Sequence, residues 1–532
     1  MTSSGRGLML ALLTLAILGP SIPGRELLPP DEPRFASIAD QMVRDGQWLL
    51  PRYDGALYLD KPPLLLWLQA AATAGAGLGR EIAARWASLA ASVALTLLVY
   101  QAGRRWFDEA TGFLAALILP TSLLMLERGA WGSTDALLAL WIFATLAAAE
   151  QAERRPRLAP LIAGLALGLG VLTKGPVALL LVLLAVAAGL PRRNQGPSWR
   201  TLTDPLFFLG LGAVVAPWVV AVGQRAGWEV FARAAWHHSG DRFLESWDNL
   251  EPWWYHLENI FTGFFPWSLA ALGMLWPGFA RRHLADGRSR WLALWLLLAV
   301  VVFSLPAGKR GVYLLPLYPA LALLAARALP ALDRWAPGRR LGAGLLVGLG
   351  LLALGVGLWI LLPAAGSPLP PAVASLPAVH AAATGVMLTL ALCLGLGGAA
   401  TLFGRAPLWA GPLAFGLATG ALWPLLLTPA VNQAQGARRL GREITRVLPA
   451  GAEVGITPNK RDLVRLYALP GAPLLDDPAA VARYLAANPR AMALGTAEEL
   501  GPPRAWPPGT RIAWSTRLGR DDLLLVGRPP GD

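Results

Sequence analysis

The chain has 532 residues, 55% of them hydrophobic and only 15% charged, with a formal net charge of +13. Soluble domains carry about a quarter charged residues, so this composition excludes an ordinary soluble enzyme and places the chain in a bilayer. The positive balance does not call for nucleic acid, because the arginines sit largely in short loops between apolar stretches, where membrane orientation explains them.

Helical spans are predicted near 8–23, 83–100, 111–126, 136–150, 159–173, 175–190 and 205–222, then near 266–280, 291–305, 312–330, 341–362, 379–402 and 408–428. That makes about thirteen, some shorter than the ~20 residues of a full crossing. The first lacks a small-residue cleavage site before Arg25 and reads as a retained helix that also targets the chain. Only Thr173-Lys174-Gly175-Pro176 divides 159–173 from 175–190. Two separate spans are expected there, since that count, with the N-terminus inside, puts Arg104-Arg105, Arg154-Arg155, Arg157, Arg192-Arg193, Arg281-Arg282 and Arg339-Arg340 in cytoplasmic loops. The 23 tryptophans suit interfacial belts, and Cys393, the only cysteine, leaves no intrachain disulfide.

The long loops 24–82 and 223–265 then lie outside. In the first, Phe35, Ile38, Ala39, Met42 and Val43 recur at helical spacing after Asp31 and stop at Asp45-Gly46. Leu64 to Ala76 makes a second, more apolar helix, and both are expected to lie along the membrane surface. From Pro429 the chain turns polar and alternating, with helices near 433–447 and 477–487 among β-rich runs near 453–457, 491–495, 510–516 and 522–526. The expected architecture is an α-helical polytopic membrane domain over 1–428 followed by a small extracytoplasmic α/β domain over 429–532. That second domain holds no nucleophile or metal-ligand constellation and is expected to shape the acceptor side.

Polar groups gather in the outside loops. The first carries Asp31-Glu32-Pro33-Arg34-Phe35 and then Tyr58-Leu59-Asp60-Lys61-Pro62-Pro63. Asp31 is also a good helix cap, and Lys61 taken alone is an interfacial anchor. The second runs from Arg128 to Asp135, where Thr134-Asp135 before Ala136 reads first as a cap, with help to Asp31 or a divalent ion as alternatives. The third holds Trp236-His237-His238-Ser239-Gly240-Asp241-Arg242-Phe243. His237, His238 and Asp241 are candidate metal ligands there, although adjacent histidines are a weak pattern and ordinary polar loop positions are the preferred reading. The fourth is Lys309-Arg310-Gly311-Val312-Tyr313.

In this order, and all on one predicted side, these motifs resemble the outside loops of polyprenyl-phosphate-dependent membrane glycosyltransferases, the bacterial aminoarabinose lipid A transferases and protein O-mannosyltransferases of the glycosyltransferase C superfamily. The resemblance covers roughly residues 8–330. It implies an enzyme of the bacterial cytoplasmic (inner) membrane that moves a sugar, with inversion, from a polyprenyl (undecaprenyl) phosphate to an extracytoplasmic acceptor: lipid A, another envelope glycan or an exported protein. It implies a catalytic set of Asp31, Glu32 and Asp135, with Asp31 as base and Glu32 and Arg34 orienting it. It implies a donor-phosphate set of Lys61, Arg242, Lys309, Tyr313 and Arg34, with Lys174 a turn residue that can also touch phosphate. Relatives carry Lys-x-x-Tyr at the fourth loop, and Arg310-Gly311 after Lys309 leaves open which cation makes the contact. The expected partners are the lipid-linked donor, the acceptor and membrane lipids. Neither nucleotide nor nucleic acid is expected, since no Gly-rich phosphate loop opens a helix, and a divalent metal ion is the one cofactor left open. The rival is a polytopic lipid or sugar-lipid transporter without transferase chemistry. It predicts ionisable groups near mid-helix and paired half-repeats, and the sequence has neither.

Overall fold

The apolar stretches fold as helices in the structure, a computed structural model that describes residues 2–191, 195–236, 250–362, 376–449, 451–488, 490–518 and 521–528. Among the described residues, eight helices are long and apolar enough to cross a membrane: Ser3–Ser21, Arg80–Trp106, Pro205–Ala226, Gly287–Ser304, Gly311–Arg334, Ala336–Leu361, Pro377–Leu402 and Ala410–Gln435. The other expected spans are shorter or interrupted. We label the elements that build the site α1 (Ser3–Leu18), α2 (Asp31–Asp45), β1 (Arg52–Tyr53), β2 (Ala56–Leu57), α3 (Leu64–Ala76), α4 (Arg80–Trp106), α5 (Glu109–Ile118), α6 (Leu123–Arg128), α7 (Asp135–Ala149), α8 (Leu158–Lys174) and α9 (Val177–Gly189).

The stretch expected at 111–126 is broken between α5 and α6, where Pro120 cannot donate a backbone hydrogen bond. The hydroxyls of Thr121 and Ser122 donate to the carbonyls of Leu117 (2.6 Å) and Leu119 (2.8 Å) instead. Near 266–280 the chain forms a 3-10 turn, Trp267–Leu275, and then a short helix, Pro277–His283. At Lys174 the two helices are separate. Gly175 takes φ +73°, and a Cβ built on Gly170 would stand 3.2 Å from that of Ala178. Residues eight apart in one continuous helix are ~12 Å apart along its axis.

Helices α2 and α3 have the limits expected of them. Phe35, Ile38, Ala39 and Met42 on α2 are buried in one core with Leu65, Leu66 and Ala70 of α3 and with Ala87 and Ala91 of α4. Gly46 ends α2 in the left-handed region that favours glycine. The C-terminal region carries β3 (Glu453–Ile456), β4 (Ala491–Gly495), β5 (Arg511–Leu518) and β6 (Asp521–Gly527) in the order β3-β4-β6-β5. Strands β3 and β4 are parallel, and the other neighbours are antiparallel. A helix at Arg461–Tyr467 was not anticipated, because seven residues show too little periodicity to stand out.

Candidate active site

The first turn of α2 is held by a buried ion pair. Glu32 and Arg85 of α4 are both fully buried, with Nε to Oε1 and Nη2 to Oε2 each 2.7 Å. Glu32 also accepts the backbone amides of Leu28 (2.9 Å) and Gly132 (2.8 Å), with the Arg25 guanidinium 3.7 Å away. Arg85 spends its remaining donors on the carbonyls of Ile22, Arg25 and Glu26. All five guanidinium hydrogens therefore have acceptors, the condition under which a buried charge is tolerated. Burial opposes the Glu32 charge, but Arg85, Arg25 and the Gly132 amide together hold the carboxyl below its usual range. The resemblance places Glu32 in the catalytic set as a group that orients Asp31. With both oxygens committed and no exposure, it fixes α2 against α4 and the loop before α7.

Asp31, one position earlier, points elsewhere. Its carboxylate does not cap the helix, since Pro30 is the N-cap residue and makes no side-chain bond there. It accepts from the Arg310 guanidinium at 3.2 Å, and both side chains remain about a quarter exposed, 21% and 26%. Asp135 lies in the same electrostatic neighbourhood of Arg310. The cap read at Thr134-Asp135 is also not formed. Instead the Asp135 carboxylate accepts from Lys174 Nζ at 2.5 Å and from the Ser133 hydroxyl at 2.8 Å. Lys174 in turn sits 5.0 Å over the Tyr313 ring, and any side chain on Gly175 would touch Pro62, which brings the Lys61-Pro62 corner to this turn. Asp31, Arg310, Asp135, Lys174 and Tyr313 thus form one group, contributed by four separate parts of the chain and bordered by Lys61.

Lys309 is not in that group. It is buried, and its ammonium donates to the carbonyl of Glu251 at 2.8 Å, tying the loop at 307–309 to residues 250–251. The backbone at Arg310 is extended, so consecutive side chains leave on opposite sides. Arg310 is therefore the cation that meets Asp31. Arg34 lies half-buried, 6.0 Å over the Tyr53 ring, with Tyr58, Asp462 and Asp31 as its other electrostatic neighbours. Arg242, His237, His238 and Asp241 lie outside the described residues. Among the described residues no group of three His, Cys, Asp or Glu is placed to hold a metal.

The C-terminal region closes one side of the first loop. Tyr53 donates to Asp462 at 2.7 Å, and Arg461 and Arg465 both pair with Asp54. Glu26 accepts the amides of Ala437 (2.8 Å) and Arg438 (2.9 Å) at a helix N-terminus, where an anion is favoured. Between these contacts and the outer face of α2 lies a polar cavity of about 650 Å³, bordered by Asp40, Arg44, Asp54, Arg80, Asp462 and Arg465.

Fold and site together define a multi-helix membrane protein with a charged cluster assembled on its loop ends. Residues 60–222 match the family model described as dolichyl-phosphate-mannose-protein mannosyltransferase, a stretch that contains Lys61, Asp135 and Lys174 but neither Asp31 nor Arg310. The chain is 35% identical over 344 residues to an undecaprenyl phosphate-alpha-4-amino-4-deoxy-L-arabinose arabinosyl transferase of Pseudomonas paraeruginosa, covering 61% of this chain and 60% of that one. It is 32% identical over 318 residues to the protein of that name from Edwardsiella ictaluri, covering 57% and 56%. The chain therefore spans about three fifths of the length of the curated relatives it matches. Two crystal structures of ArnT from Cupriavidus metallidurans share its fold over 98% of both chains: one bound to undecaprenyl phosphate, with TM-score 0.72 at 20% identity, and one apo, with 0.73 at 21%. The chain is similar to the polyprenyl-phosphate-dependent membrane glycosyltransferases, the resemblance read from its first loop.

Proposed function

We propose that this chain is a membrane glycosyltransferase that moves a sugar, with inversion, from a polyprenyl phosphate to an acceptor outside the cytoplasmic membrane of a bacterium. The observation that carries the reading is the Asp31–Arg310 pair beside Asp135, Lys174, Tyr313 and Lys61, which joins a partly open carboxylate to several cations. The names of the relatives support an undecaprenyl phosphate donor and an aminoarabinose-like sugar. Asp31 takes the proton from an acceptor hydroxyl as that oxygen attacks the anomeric carbon. If the acceptor is a phosphate, already ionised, Asp31 serves instead to hold Arg310. Charge grows on the leaving polyprenyl phosphate, and the guanidinium of Arg310, with Lys61 and Lys174, stabilises it. Arg242 and Arg34 are further candidates for that phosphate. Glu32 and Arg85 act one layer behind, as positioning residues.

The arginine distribution supports about thirteen crossings, with the N-terminus inside and the loops of the site outside. The change to a polar, alternating sequence from Pro429 supports the division at residue 428, and the parity of the crossings supports an extracytoplasmic place for the C-terminal domain. The polar cavity between α2 and that domain supports an acceptor path on this side. The test is turnover of the purified chain in proteoliposomes with radiolabelled undecaprenyl-phosphate sugars, lipid A and glycan acceptors, and wild type against Asp31→Asn. Sugar transfer lost in the variant supports the reading. Equal transfer by both proteins overturns Asp31, and transport of intact lipid-linked sugar without bond cleavage overturns the enzyme.

A further inference from the structure

Far from Asp31 along α4, the other ends of α4 and α7 and the start of α8 enclose a groove of about 200 Å³. Its walls are apolar and mostly small, among them Leu98, Ala102, Ala144, Ala148 and Ile162. Two arginines, Arg105 and Arg155, border it from one end of the helices, on the last turn of α4 and just ahead of α8. Leu98 lies seven residues from Arg105 on one helix, so the apolar part runs about 10 Å away from the charges. On the same side, Leu158 and Ile162 are 46% and 43% exposed, an outer surface suited to acyl chains.

Among the described residues, the charge at the head of the groove is uncompensated. Arg104, next in the chain, pairs with Glu109 at 3.1 Å. The acid that borders the groove, Glu150, is taken by Arg288 at 2.6 Å. Among the described residues neither Arg105 nor Arg155 has a carboxylate partner. A slot with an apolar body and two free planar forks at its mouth matches a phosphate joined to an acyl chain. The forks bind phosphate oxygens in pairs, and the slot takes the methylene groups that follow.

We propose that this groove is a binding site for one anionic phospholipid, its phosphate between Arg105 and Arg155 and an acyl chain along α4 and α8. The leaflet is the cytoplasmic one under the orientation proposed above, but the site itself does not depend on the transferase reading. The occupant is a lipid rather than free phosphate because most of the lining is apolar, and an anionic rather than a zwitterionic lipid because the mouth carries two positive charges and its acid is already paired.

The full chain, purified in detergent, is titrated with dioleoyl phosphatidylglycerol, dioleoyl phosphatidylcholine or glycerol 3-phosphate, and bound lipid is counted by native mass spectrometry. Phosphatidylglycerol is expected to be retained at least tenfold more tightly than phosphatidylcholine, with no competition from glycerol 3-phosphate at equal concentration. Arg105→Gln/Arg155→Gln should abolish that preference, while Arg339→Gln/Arg340→Gln, which removes two arginines elsewhere, should leave it intact. Ala144→Phe fills the slot without touching charge and should reduce retention of both lipids. Thermal melting of each variant checks that it is folded. Equal retention of the two lipids by the wild type, an unchanged preference in the Arg105/Arg155 variant, or full competition by glycerol 3-phosphate overturns the site.

Discussion

Asp31 and Glu32 are neighbours on one helical turn, yet they sit in opposite worlds. Among the described residues, Glu32 is wholly buried and meets three partners besides Arg25, while Asp31 is about a fifth exposed and meets one. A step of one residue in a helix turns a side chain by ~100°, enough to separate the interior of the loop from the group shared with Arg310. Under the function proposed above, the difference divides rigidity from reactivity. A saturated, inaccessible pair fixes the turn, and a partly open, singly partnered carboxylate is presented by it.

The sharpest way to break this contrast is Glu32→Ala. It leaves the Arg85 charge buried without its carboxylate, a loss of about 3–5 kcal/mol, so the protein should melt early or fail to stay monodisperse in detergent. The same pair sets an acid limb. Because its folded carboxyl lies below the usual range, Glu32 contributes stability that is fully present above its unfolded pKa of about 4.3 and is lost as pH falls through the lower folded value. Glu32→Gln should flatten that limb. A melting temperature of Glu32→Ala matching wild type would remove the structural role.

Asp31→Asn should do the reverse. We expect turnover to fall by at least ~100-fold, the usual cost of a lost general base, while the melting temperature stays close to wild type. Single-turnover transfer with saturating donor is the measurement. Loss of fold without a specific loss of rate would place Asp31 with Glu32.

A smaller effect separates Lys309 from Arg310. Arg310→Gln should weaken donor binding by about tenfold, or about 1.4 kcal/mol, with little change in stability. Lys309→Met should leave donor affinity alone and destabilise the chain by about 1–2 kcal/mol, through the lost bond to the Glu251 carbonyl. Binding of undecaprenyl phosphate by calorimetry and melting of both variants decide it, and an affinity loss in Lys309→Met would return the phosphate contact to that residue. The smallest change is expected at the docking contact. Asp54→Asn loosens Arg461 and Arg465, both still partly exposed, and should cost about 1 kcal/mol or less. Hydrogen exchange of Arg461–Tyr467 should rise in this variant, and exchange at α2 should follow if the contact steadies the first loop.

Much of this was legible in the chain because local rules suffice for it. The apolar stretches follow from composition, α2 from apolar spacing closed by Asp45-Gly46, and the C-terminal strands from alternation within a polar region. The candidate loops could be chosen because charges beside a bilayer stand out. Other features were not legible. The break at Pro120 depends on hydroxyls that re-satisfy Leu117 and Leu119. Arg85 gave no signal, being an arginine near the start of an apolar helix that could equally face head groups.

By itself the sequence determined that the chain is a polytopic helical membrane protein and which loops hold its ionisable groups, because burial of apolar surface and turn chemistry act over a few residues. Only the tertiary structure decided the partners. Which carboxylate is sealed by Arg85 and which meets Arg310, whether Lys309 or Arg310 faces the site, and that Asp135 takes Lys174 rather than capping its helix all turn on angles between elements tens to hundreds of residues apart. An ion pair depends on distance and on the water left around it, and those are settled by how helices pack.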